Sequence, residues 1–140
     1  FAERDGIIWC ASGSNWRNGN LISFSNGKLK TFPNIAQISD LEFDAKGNLF
    51  VSTAESNIVK IDAAAIERND PLDFPVSEPL PDQGSNLFRD RDNNLWFGGY
   101  QGLHLINSEP AVTFYSPMSQ PPIENVYPIV QDAEGAVWFA

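Results

Sequence analysis

One short signature returns four times in this chain: an acid, a turn residue three positions later, and an aromatic three positions after that. It reads ERDGIIW from Glu3, DAKGNLF from Asp44, DRDNNLW from Asp90 and DAEGAVW from Asp132. The aromatics Trp9, Phe50, Trp96 and Trp138 follow one another after 41, 46 and 42 residues. Repeats of ~40–45 residues are the length of a four-stranded propeller blade. The repeat therefore limits the fold more than any other feature.

The spacing has a mechanical reading. A carboxylate accepts hydrogen bonds from backbone N–H groups just ahead of it and so pins a tight turn. The third position then needs a positive φ, which Gly6, Gly47 and Gly135 adopt without strain. Asn93 stands there in the third copy, and Asn is among the residues that best tolerate the left-handed region. Each copy is expected to be a hairpin whose aromatic packs between sheets.

The flanks agree. QISDLEF, GSNLFR and NVYPIVQ precede the turns; LFVST, LWFGG and VWFA follow them. Next come NLISFS (20–25), NIVKID (57–62) and GLHLIN (102–107), whose alternation of apolar and polar residues marks half-buried strands. KLKTFP, LDFPVS and AVTFYSP supply a fourth strand, with proline at or near the end of each as an outer strand tolerates. The segment 62–70, DAAAIERND, suggests one or two helical turns. The expectation is an all-β chain of four-stranded antiparallel blades, divided at 1–37, 38–83 and 84–123, with a further blade starting at 124–140.

About three blades do not close a ring of ~4–8, and the chain opens on Phe1 rather than Met. Either the chain is a piece of a longer propeller or it completes a ring by assembly; the piece is the favoured expectation, the other blades being its nearest partners. Acids outnumber bases 18 to 9, for a formal charge of -9. This balance argues against nucleic acid, which needs clustered Lys and Arg, and against docking on an anionic membrane. No apolar run reaches the ~18 residues that a membrane-spanning helix needs, and no signal peptide is visible. Cys10, the single cysteine, lies in the apolar run IIWCAS and reads as a small buried residue.

At these residues the chain resembles the two-component regulator propeller repeat, roughly D-x-x-G-x-hydrophobic-W-x-G-T followed by G-L. Asp90, Leu95, Trp96, Gly98, Gly102 and Leu103 carry the likeness in the third copy, and Asp132, Gly135 and Trp138 in the fourth. The second copy keeps Asp44 and Gly47 but has Phe50 for Trp; the first has Glu3 for Asp and an insertion, GSNWRNGN. The resemblance implies a sensor: the extracytoplasmic or periplasmic input domain of a bacterial histidine kinase, hybrid two-component protein or diguanylate cyclase. It further implies a small-molecule ligand such as a carbohydrate fragment, and a receptor homodimer. Kinase or cyclase chemistry would lie elsewhere, since nothing in these residues is a kinase motif.

Candidate chemistry is sparse. DRDNN opens like a calcium loop, but Leu95 and Gln101 stand where that loop needs Gly and Glu, so a hairpin turn is expected and no metal. His104, the single histidine, has no partners for a triad or a multi-histidine metal centre and reads as a strand residue. No catalytic residue and no cofactor are expected. Trp16 and Arg17, in the insertion, set an aromatic plate beside a guanidinium, which suits a sugar ring or a carboxylate. Tyr100 and Gln101 occupy the corresponding loop of the third blade, at the end of the channel where propellers form a small-molecule cleft. These four are the candidate ligand-binding residues. A propeller enzyme (a lyase or lactonase-like hydrolase) and a protein-interaction scaffold remain the alternatives, because the fold hosts all three classes.

Overall fold

The computed structural model describes residues 1–12, 19–53, 58–68, 84–100, 102–106, 112–115, 126 and 128–139. Four antiparallel sheets succeed one another along the chain. The first contains β1 (Ala2–Arg4), β2 (Ile7–Ser12), β3 (Asn20–Ser25) and β4 (Lys28–Ala36), paired in that order. The second contains β5 (Ile38–Phe43), β6 (Leu49–Thr53) and β7 (Ile58–Ile61), followed by the short helix α1 (Ala63–Arg68). The third contains β8 (Gly84–Arg89), β9 (Leu95–Gly99), β10 (Leu103–Ile106) and β11 (Val112–Tyr115). The last pairs β12 (Ile129–Gln131) with β13 (Val137–Phe139). The chain is all-β, built as propeller blades. The expected strand LDFPVS falls at 72–77, outside the described residues, as does the connection 116–125.

Strand alternation explains how the sheets stack. Successive residues of a strand point to opposite faces, and β6 is buried on both. Leu49 and Val51 join Trp9, Leu21, Phe32, Leu41 and Phe43 in a core between the first and second sheets. Phe50, between them in sequence, turns the other way and packs with Leu87, Leu95 and Phe97 of the third sheet. The same alternation recurs one blade on. Leu95 and Phe97 face backward, while Trp96 faces forward and packs against Leu103, Val126 and Ile129 with Val137 and Phe139. β6 and β9 thus each serve two seams, which is why these repeats tolerate no slip of register.

Three hairpins share one turn. In each, the acid's N–H donates to the carbonyl four residues on and its carbonyl accepts from the residue three on. The pairs are Asp44–Asn48 and Gly47–Asp44, Asp90–Asn94 and Asn93–Asp90, and Asp132–Ala136 and Gly135–Asp132, at 2.9–3.2 Å. Gly47, Asn93 and Gly135 have φ of 89°, 64° and 96°, as the sequence predicts. The first copy differs. Its acid Glu3 lies within β1, paired with Ile8, and the turn is the two-residue Asp5–Gly6 with φ of 54° and 73°. Such paired positive values define the hairpin turn that matches strand twist. Glu3 still reaches the turn: its longer side chain accepts the Gly6 N–H at 3.0 Å.

Two further expectations need correction. Cys10 is half-buried rather than buried, because Trp9 takes the core face of β2 and its neighbour must point away. Trp138, expected as core, is 61% exposed, since it sits on the face of β13 turned away from the third sheet.

The second and third blades are also joined by polar contacts. The register breaks between Ile38 and Asp40 in β5 and between Gly84 and Asn86 in β8, a one-residue bulge in each first strand. Past its bulge, Asp40 accepts the N–H of Leu41 at 2.8 Å and, across the seam, that of Leu87 at 2.9 Å. Glu42 faces Arg89 at 3.9 Å. Burial raises the Asp40 carboxyl above its ordinary value, against the opposing bonds from Leu87 and Leu41. Burial raises Glu42 likewise, against the Phe43 N–H and the charge of Arg89.

A raised native pKa means that Asp40 supports folding fully below its unfolded pKa and loses that support as pH rises through the native one. Asn keeps an acceptor for Leu87 and does not titrate. Asp40→Asn should therefore gain stability relative to wild type as pH rises from about 3 to 7. Urea unfolding at both pH values checks it; a difference that does not change with pH contradicts it.

Candidate functional site

The two ends of the blades present different chemistry. At one end, β9 runs into Tyr100, which is 47% exposed. The backbone beneath it is held closely: the Gly99 N–H donates to Gly102 at 2.8 Å, and the Gly99 carbonyl accepts the Val126 N–H at 3.0 Å. A Cβ on Gly98 would lie 2.6 Å from the Val126 carbonyl oxygen, so only glycine admits this approach. The glycines of GGYQG thus set Tyr100 outward on a braced turn.

At the same end of the first blade, the chain leaves β2 at Ser12 and returns at Gly19. The Ser12 hydroxyl contacts the N–H and the carbonyl of Asn20, both at 3.3 Å, and the Gly19 carbonyl accepts the Gln37 N–H at 2.9 Å. The ends of the insertion are therefore fixed close together. Of the four candidate binding residues, the structure places Tyr100; Trp16, Arg17 and Gln101 lie outside the described residues.

The opposite end carries the acid turns, and here the structure adds what the sequence reading missed. Asp90 Oδ1 accepts the Asn94 N–H at 2.8 Å, and Oδ2 accepts both the Asn94 side-chain amide at 2.9 Å and the Trp96 indole N–H at 2.7 Å. Asp132 repeats the arrangement with the Ala136 N–H at 2.8 Å and the Trp138 indole at 2.6 Å. The tryptophan is thus a donor to the turn as well as a packing plate. The six-residue interval from Asp to Trp was the visible signal. In the second copy Asp44 accepts from the N–H groups of Lys46 and Asn48 and from the Asn48 amide at 2.7–2.9 Å, while Phe50 has no N–H to give. Asn48 passes the network on by accepting the Ala63 N–H at 3.0 Å, at the start of α1.

These bonds set the acidities. Burial pushes the Asp90 carboxyl upward, but bonds from Trp96 and Asn94 outweigh it and hold the group below its ordinary value. In Asp132 the Trp138 indole is the leading cause of the same lowering.

Between the second and third acid turns lies a cleft of 160 Å³ lined by Asp44, Ala45, Lys46, Phe50, Leu95 and Ile106, among others. His104 is buried against Phe97 in a tilted contact with centroids 5.8 Å apart, which makes it a core residue of β10. Among the described residues, no group of three His, Cys, Asp or Glu side chains is arranged to hold a metal. Among them, too, no helix is long and apolar enough to cross a membrane.

The sheets, their shared seams and the recurrent turn define a segment of β-propeller. The family model for the two component regulator propeller matches residues 79–101, the stretch containing the third acid turn and Trp96. The match falls on the stretch of the chain that carries the resemblance seen in its sequence. A search of curated proteins gives no match. Among solved structures, the chain is similar to the extracellular domain of a B. thetaiotaomicron protein, BT3049, described as a hybrid two component system. That match has a TM-score of 0.72 at 16% identity and covers 97% of this chain. The chain spans 18% of the length of that domain.

Trp96→Phe removes the indole donor and keeps an apolar ring. A lost hydrogen bond to a charged group costs about 1.5–3 kcal/mol. A carboxyl lowered in the native state supports folding above its unfolded pKa and loses that support as pH falls through the native value. The variant should thus be destabilised by about 2 kcal/mol at neutral pH and by less in acid. Urea unfolding at pH near 7 and near 3 measures this; an equal deficit at both would show that only packing was lost.

Proposed function

We propose that this chain is a ligand-sensing segment of a bacterial signal-transduction receptor, acting outside the cytoplasm. The observation carrying the proposal is the two component regulator propeller repeat at residues 79–101, supported by likeness in fold to the extracellular domain of a hybrid two component system. The segment binds and does not catalyse; kinase or cyclase output belongs to other parts of the receptor.

The ligand is a small molecule, with a carbohydrate fragment as the leading class. It is held at the end of the blades where Tyr100 stands exposed on its braced turn. Trp16, Arg17 and Gln101 complete the proposed contact surface, the two aromatics as plates for a sugar ring and the guanidinium as a fork for its oxygens. A ligand bridging several blades shifts a receptor homodimer between two arrangements only as far as it binds one better than the other.

Melting measurements with and without a panel of oligosaccharides test this reading. One oligosaccharide should raise the melting temperature, a chelator should leave it unchanged, and Trp16→Ala or Tyr100→Ala should remove the ligand-induced rise while the protein still unfolds cooperatively. Normal binding by both variants would place the site elsewhere. Turnover of a substrate that a chelator abolishes would favour a propeller enzyme instead.

A further inference from the structure

The cleft at the acid-turn end coincides with two departures from the repeat, and both remove volume and a donor from the same seam. At the position after the acid, the first and third copies carry arginines that reach the next hairpin. Arg4 lies over the Phe43 ring at 5.7 Å and fills the space that a Cβ on Gly47 would enter. Arg91 donates to the Ala133 carbonyl at 3.1 Å. The second copy has Ala45 there, a side chain that ends at Cβ. At the aromatic position Phe50 replaces the tryptophan of the other copies. The cleft of 160 Å³ lies against both residues.

Its chemistry follows from the same comparison. Asp90 Oδ2 accepts two bonds, from Asn94 and from the Trp96 indole. Among the described residues Asp44 Oδ2 accepts one, from the Asn48 amide at 2.7 Å. A carboxylate oxygen has capacity for two. The cleft thus combines an apolar wall of Phe50, Leu95 and Ile106 with the Asp44 carboxylate, whose Oδ2 corresponds to the oxygen that receives a ring N–H in the third and fourth turns. Lys46 beside Asp44 cancels the formal charge of the lining and favours a neutral occupant over an ion. The cleft's volume is close to the ~150 Å³ that holds benzene in a closed apolar cavity; here the cleft is open and Asn93 and Asn94 complete the lining, so it suits one small ring with a polar edge.

We propose that this cleft is a second binding site, specific for a small, flat, neutral ring that carries an N–H donor. The ring lies on Phe50, Leu95 and Ile106, and its N–H donates to Asp44 Oδ2. The site is independent of the one proposed at Tyr100: the acid turn and Tyr100 lie at opposite ends of β9.

Indole is the probe, and benzofuran, the same shape with a ring oxygen in place of the N–H, is its control. Ligand-observed NMR titrations of the intact protein should show saturable indole binding at least about tenfold tighter than that of benzofuran, the discrimination that a hydrogen bond to a charged group supplies. Phe50→Trp should fill the cleft from its wall, satisfy Asp44 internally and weaken indole binding at least about tenfold. Ala45→Arg should block the cleft from its rim and do the same, so the test stands even if Phe50→Trp fails to fold. Equal binding of indole and benzofuran, wild-type affinity in a folded variant, or the absence of saturable indole binding would each overturn the proposal and leave the cleft a packing void.

Discussion

The structure depends on one hydrogen-bonded group: a carboxylate at the mouth of each hairpin that closes the turn behind it and, in two copies, holds a tryptophan ahead of it. The turn must close tightly because the two strands it joins are short; β12 and β13 have three residues each. A pair this short has little ladder of its own and needs its register set at the turn. Asp132 does so by accepting the Ala136 N–H, and its second oxygen fixes the indole of Trp138. One side chain therefore sets local geometry and aims the aromatic, which in the third copy packs against Leu103, Val126 and Ile129.

From that constraint the stacking follows. With register fixed, strict alternation sends Leu49 and Val51 to one seam and Phe50 to the next, then Leu95 and Phe97 to that same seam and Trp96 onward. The polar links obey the same order: Arg4 reaches toward Gly47, Asp40 accepts from Leu87, and Arg91 donates toward Ala133. Each link joins a blade to the one after it. This arrangement leaves the two ends of the blades free for different chemistry, a braced exposed tyrosine at one and a row of carboxylate-closed turns at the other.

Much of this was legible in the sequence because it is written in spacing. The four aromatics, the positive-φ position filled by Asn93, the strand Asn20–Ser25 and the helical turn after Asp62 all follow from residue type at fixed intervals. What spacing does not carry is which atom meets which. The indole donation to Asp90 was hidden because tryptophan reads equally well as plain core. The distinct turn of the first copy was hidden because Glu3 occupies the acid position while Asp5–Gly6 makes the bend. Cys10 lies in an apolar run, but residue type there does not say which face of β2 Trp9 takes. Topology alone proposes Tyr100 as a contact residue, and the structure adds how its turn is braced: Gly98 permits the backbone of Val126 to approach.

The central claim, that an ionised aspartate holds the repeat's tryptophan by its indole N–H, has a direct test. In ¹H–¹⁵N spectra of the protein through an acid titration, the Trp96 indole resonance should move with a single midpoint below 3.8, the ordinary value for the Asp90 carboxyl. A midpoint at or above that value, or an indole that does not respond before the protein unfolds, would contradict the account.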